Sequence, residues 1–267
     1  DNSHLLPYAQ RVDFKVARAS ELTGKDRRFY RFLEIVPGVA AWTTLIGIVW
    51  ASIYASFFAA YFIIAFAIYW VLKTIFLSYH VRYNHKRLKH HMELDWGQLI
   101  KRFKCDEMHH LVVLPYYQEP LEVLEGAMTG LVESNYDPKK LIVVLAAEER
   151  AGEEAVQQAY QMQQQFGEHF SHLLVTVHPD DIPGEIAGKG SNVHYALHKV
   201  QAEIIVPANI AYKNILVSIF DVDTVIYPDY FNCLIWHFMT AERPYKSAFQ
   251  PVPLFTNNLW EATALAR

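Results

Sequence analysis

The sequence predicts an α/β domain with a mainly parallel sheet, preceded by a two-helix transmembrane hairpin. Three observations carry that prediction. Between Ile35 and Leu77 the only charged residue is Lys73. From His110 onward, short apolar runs alternate with segments of helical periodicity, the pattern of parallel strands joined by helical crossovers. One such run, Asn214-Ile-Leu-Val-Ser-Ile-Phe-Asp221-Val-Asp223, ends in two carboxylates one residue apart.

The apolar stretch comes first. As one helix it would be about 65 Å long, roughly twice a hydrocarbon core, so it is expected to form two spans. These are placed near 36–51 and 57–77, with a break around Ser52–Ser56 that contains neither Gly nor Pro. Trp42, Trp50, Tyr54, Trp70 and Tyr79 suit interfacial aromatic belts, and Lys73 suits a snorkelling position near a span end. Arg27, Arg28 and Arg31 precede the pair, while Arg82, Lys86, Arg87 and Lys89 follow it. By the positive-inside rule both ends face the cytoplasm. The expected location is the cell membrane (inner or plasma), multi-pass. A buried helical hairpin of a soluble protein is the bland alternative.

Residues 1–34 then read as a basic cytoplasmic segment, 35–79 as the hairpin, and 80–109 as a linker. Within the linker Leu88, Met92, Trp96, Leu99, Ile100 and Phe103 share one helical face. A helix lying in the membrane interface has that pattern, and so does a helix packed on the next domain. Residues 110–267 form the α/β domain. The net charge of −4 gives no basic bias towards nucleic acid. Cys105 and Cys233 are the only cysteines and lie far apart, which suits a reducing compartment without disulfides.

Inside the α/β domain, Leu111–Leu114 is the first expected strand, halted by Pro115-Tyr-Tyr-Gln-Glu119-Pro120. Leu121, Leu124, Met128, Leu131 and Val132 mark a helix, and Leu141–Leu145 a second strand running into Glu148-Glu149-Arg150. A helix over about 152–166 leads to a third strand near 173–177. A loop with Gly188-Lys189-Gly190 opens another helix at about 192–200. The last strand, ending at Asp221, is expected to be buried on both faces at the sheet centre.

Ligands of open α/β sheets bind beyond the carboxyl ends of the strands, where Glu119, Glu148, Asp221 and Asp223 are expected. Paired carboxylates repel unless a cation joins them, and a hard divalent ion shared with substrate phosphates serves that role. Two solvated aspartates capping the next helix would look the same. So would the nucleophile motif of a haloacid-dehalogenase-type phosphatase, with Asp221, Asp223 and Val225 in its pattern. That motif closes the first strand of its fold, however, and here other strands precede it. The glycine-lysine loop lacks P-loop spacing, although small residues beside a lysine at a helix start suit phosphate oxygens.

In order, these motifs resemble family 2 glycosyltransferases with a GT-A fold, specifically the membrane-anchored inverting members. Val112-Val-Leu-Pro115-Tyr116-Tyr-Gln-Glu119 is similar to the family's opening strand and base-gripping turn. Gly188-Lys189-Gly-Ser-Asn192-Val-His-Tyr-Ala196-Leu197 resembles its donor-side segment, and Phe220-Asp221-Val-Asp223 its Asp-x-Asp. The resemblance covers about residues 111–258. It implies a Rossmann-like nucleotide-sugar-binding half with donor contacts from Pro115, Tyr116, Glu119, Glu148, Lys189, Asn192 and Asp221. It also implies Mg²⁺ or Mn²⁺ on Asp223 and Asp221, a UDP-sugar donor, and an acceptor glycan or lipid at the bilayer, for polysaccharide or glycolipid synthesis. Where the family often has an Asp after the second strand, this chain has Glu148. The family's general base is expected beyond Arg267, with Glu148, Glu149 and Glu185 as the nearest substitutes. A non-catalytic nucleotide-sugar-binding membrane module is the other reading.

Overall fold

A computed structural model of the chain describes residues 22–180, 182 and 187–253, which form two units. The first holds two helices, α1 (Gly24–Tyr54) and α2 (Ser56–Glu93). Both are long and apolar enough to cross a membrane. They meet at Ala55, inside the expected break, where φ −139° and ψ 49° interrupt the helix for one residue. Helical hydrogen bonding still passes the junction, from Ala55 N–H to the Ala51 carbonyl and from Ala59 N–H to that of Ala55. An antiparallel hairpin would bury a stripe of each helix on the other, yet neither helix has a buried residue. Two long apolar helices are therefore present, without hairpin packing. Apolar side chains of both helices face outward, as a lipid-facing surface would require.

The second unit is α/β. It opens with α3 (Trp96–Ile100), capped by the Asp95 carboxylate, which accepts from Gln98 N–H at 2.9 Å. Four parallel strands follow: β1 (His109–Tyr116), β2 (Leu141–Glu148), β3 (His172–His178) and β4 (Ile215–Ile219), in spatial order β3-β2-β1-β4. The connecting helices are α4 (Leu121–Val132), α5 (Glu153–Phe166), α6 (Lys189–Val200) and, after β4, α7 (Tyr230–Thr240).

Strand β2 is buried throughout because helices cover both its faces. Val112, Leu114, Val143 and Leu145 meet Leu124, Met128 and Leu131 of α4, Ala159 and Met162 of α5, and Phe231 and Ile235 of α7. Leu111, Val113, Ile142 and Val144 face Ala196 and Val200 of α6 on the other side. The expectation of a central β4 is corrected. Among the described strands β4 is an edge, with Leu216 and Ser218 buried while Val217 and Ile219 are about half exposed. An unbroken apolar run reads the same for a central strand and for an edge strand with apolar residues on both faces.

Trp96 is 3% exposed and packs against Trp236 and His237 of α7, with ring centroids at 5.5 and 5.8 Å. The expected apolar stripe over 88–103 is thus split. Its start belongs to α2, the helix breaks at Leu94–Asp95, and Trp96 faces the protein core.

Candidate functional site

The direction in which strands are added reverses between β1 and β4, since β2 and β3 lie on one side of β1 and β4 on the other. Crevices beyond such a reversal are where open α/β sheets take ligands. The loops leaving β1 and β4 are those with the Pro115–Glu119 turn and the acidic pair.

Exposure alternates along the end of β4: Phe220 and Val222 are buried in the core, and Asp221 and Asp223 are exposed. Both aspartates are therefore left to solvent, with Val222 as the buried anchor between them. Thr224 N–H bonds the Asp221 carbonyl at 2.9 Å, turning the chain. The loop is then pinned to the end of α4. Asn135 N–H bonds the Pro228 carbonyl at 2.8 Å. A Cβ added at Gly130 would lie 3.3 Å from Val225 Cγ1, so the helix and this loop approach each other closely here. Two exposed carboxylates on a fixed turn form an oxygen donor set that fits a hard cation such as Mg²⁺ or Mn²⁺.

At the end of β1, Tyr116 and Tyr117 part company. Tyr116 is 1% exposed and donates its hydroxyl to Gln158 Oε1 at 2.7 Å, so it belongs to the core. Tyr117, which sequence reasoning passed over, is exposed. Its backbone N–H bonds the Glu119 carboxylate at 2.9 Å, which gives Glu119 a part in shaping the turn. Pro115 is half-buried in the strand.

At the end of β2, Glu148 is 6% exposed. Its carboxylate accepts from Arg150 Nε. The Arg150 guanidinium in turn lies over the Tyr117 ring, 5.1 Å from its centroid. Gly152, at φ +98°, a value only glycine adopts without strain, sends the chain back into α5. Gln118 Nε2 ties the two loops together by donating to the Ala151 carbonyl at 3.0 Å. Glu149 is exposed and accepts from Asp180 N–H at 3.4 Å.

Asn192 is fully buried, and its amide donates to the Ala146 carbonyl at 2.6 Å. It clamps α6 to β2 and has no open face towards solvent. Lys189 is exposed and opens α6, and Ser191 donates to the Gly188 carbonyl at 2.8 Å. Residues 183–186, including Glu185, lie outside the described residues. Of the expected positions, Pro115, Glu119, Glu148, Asp221 and Asp223 all fall at the carboxyl edge of the sheet. A cleft of about 510 Å³ lies elsewhere, along the open edge of β4, lined by Val217, Ile219, Tyr245 and Phe249 among others, without a carboxylate.

No protein-family model matches the chain, and neither does any curated protein.

Proposed function

We propose that the protein is a membrane-bound inverting glycosyltransferase of the family 2 kind, using a nucleotide-diphosphate sugar and a divalent metal at the cytoplasmic face. The observation that carries this reading is the exposed Asp221/Asp223 pair, held about Val222 beside the strand reversal. Strand spacing supports it. Glu148 ends β2 and Asp221 follows β4, two spacings or about 10 Å apart across the sheet, room enough for a nucleoside with its base at β2 and its phosphates at β4. The two apolar helices supply the bilayer attachment, multi-pass in this reading.

Asp223, assisted by Asp221, would hold Mg²⁺ or Mn²⁺, which supplies Lewis-acid stabilisation of the charge on a departing diphosphate. The remaining work falls to the chain. The Pro115–Glu119 turn borders the base, and the pinned 224–228 loop keeps the carboxylates in place. The product is a polysaccharide or glycolipid.

The test is UDP binding with and without Mn²⁺ by the wild type, Asp223→Ala and Asp221→Ala. Metal-dependent binding lost in Asp223→Ala and weakened in Asp221→Ala is expected. Equal Mn²⁺-dependent binding by Asp223→Ala would sink the reading.

A further inference from the structure

The carboxyl edge of the sheet holds an arrangement that the metal and the phosphates do not use. The last register pair of β1 and β2 is Tyr116 opposite Ala147, and the residues that follow, Tyr117 and Glu148, bring an aromatic ring and a carboxylate to the ends of neighbouring strands. Between them lies Arg150. Its guanidinium is planar, covers the Tyr117 ring and donates an N–H to Glu148. The Glu148 side chain is 7% exposed while that of Arg150 is 39% exposed. The carboxylate is thus roofed by a side chain that can leave into solvent.

A flat π-system that stacks on tyrosine and offers an N–H to a carboxylate is also the description of one class of nucleobase. Uracil and guanine both carry a ring N–H beside a carbonyl. In the nucleotide-sugar reading the base lies at this turn and Glu148; we propose that Arg150 is the resident placeholder of that base site, lying on Tyr117 and Glu148 and displaced when such a base enters. This deepens the nucleotide-sugar reading and rests on it for the identity of the ligand. The two groups it lies on stay fixed, Glu148 as the last residue of β2 and Tyr117 through its turn. Arg150 lies in the short turn before Gly152, and its side chain alone needs to move.

The consequence has an unusual sign. A cation that contacted the nucleotide would help binding, whereas a placeholder hinders it. Removing Arg150 ends an internal competition for Glu148 and the Tyr117 face. Ion pairs and cation–π contacts of this exposure suggest a gain of about five- to tenfold in affinity.

The experiment uses the 267-residue chain in detergent and titrates uridine, guanosine, cytidine, UDP and GDP, the nucleosides without metal and the diphosphates with Mn²⁺. Arg150→Ala is expected to bind uridine or guanosine, and the matching diphosphate, about five- to tenfold more tightly than wild type. Whichever base responds identifies the donor class, and cytidine should not respond. Glu148→Gln and Tyr117→Ala should bind it more weakly. If Arg150→Ala does not fold, Arg150→Lys keeps a cation beside Glu148 and should give a smaller gain, because an ammonium competes poorly for the ring face. Weaker or unchanged binding in the Arg150 variant overturns the placeholder. With Mn²⁺-dependent UDP or GDP binding intact, that result leaves the glycosyltransferase reading standing. Tighter nucleoside binding without any metal dependence would uphold the placeholder and remove the transferase. No binding by any variant removes both.

Discussion

The His110 imidazole stands edge-on to the Tyr136 ring, with centroids 4.9 Å apart and planes at 89°. Phe231 closes the other side at 4.7 Å. His110 is fully buried on β1, and neither ring nitrogen has a hydrogen-bond partner. Burial, with a smaller contribution from the neighbouring His109, pushes the imidazole down from its ordinary 6.5 to about 3. The folded protein thus keeps His110 neutral, while the unfolded chain takes up a proton below pH 6.5. Its contribution to stability is complete above pH 6.5 and is lost progressively as pH falls from there towards 3. At pH 5 the loss is about 2 kcal/mol. Thermal unfolding of the wild type and His110→Phe at pH 7.5 and 5 should show a smaller acid penalty in the variant. Equal penalties would refute this.

Asn192 was expected to touch the donor, but it is enclosed between α6 and β2. Asn192→Ala leaves the Ala146 carbonyl without its donor and should cost about 1–3 kcal/mol of stability. Nucleotide affinity of the folded protein should stay within about twofold, a free-energy change well below that cost. The readings are a melting temperature and a UDP titration on the same preparation. A large loss of affinity with an unchanged melting temperature would return Asn192 to the ligand.

The pattern of short apolar runs and helical stretches made the α/β architecture legible, because parallel strands under helices need apolar residues at nearly every position. Strand position within the sheet was not legible. Val217 and Ile219 look like core residues but lie on the exposed face of an edge strand. Acidic residues at strand ends were readable, since a polar residue after an apolar run marks where the chain leaves the sheet. What distinguished Tyr117 from Tyr116 was the last residue of β1, and adjacent tyrosines carry no mark of which one the core takes. Arg150 was hidden because its role depends on a neighbour across the sheet. The 88–103 stripe left two readings open, a helix in the membrane interface and a helix packed on the next domain, because periodicity does not say what covers a face; α7 covers Trp96.

The final prediction concerns the bilayer. Helix α1 has 31 residues and α2 has 38, so they are about 46 and 57 Å long against a hydrocarbon core of about 30 Å. The excess length is charged. Arg27, Arg28 and Arg31 occupy the start of α1, and Arg82, Lys86, Arg87 and Lys89 the end of α2. Between them the surface is apolar apart from Glu34 and Lys73, with Trp50 and Tyr54 paired at 5.6 Å just before the Ala55 junction. Basic ends stay on the side of synthesis, and an aromatic pair suits the opposite interface. Both termini of the helix pair should then be cytoplasmic with Ala55 outside, which requires the chain to reverse at the Ala55 junction in the bilayer, where the structure has the two helices joined end to end. Single cysteines at Lys25 and Ser247, in a chain with Cys105 and Cys233 replaced by serine, should resist an impermeant maleimide in intact cells and react after lysis. A cysteine at Ala55 should react in intact cells. Labelling at only one of Lys25 and Ser247 would mean an odd number of crossings, and the one-residue break at Ala55 would then lie within a single bent span.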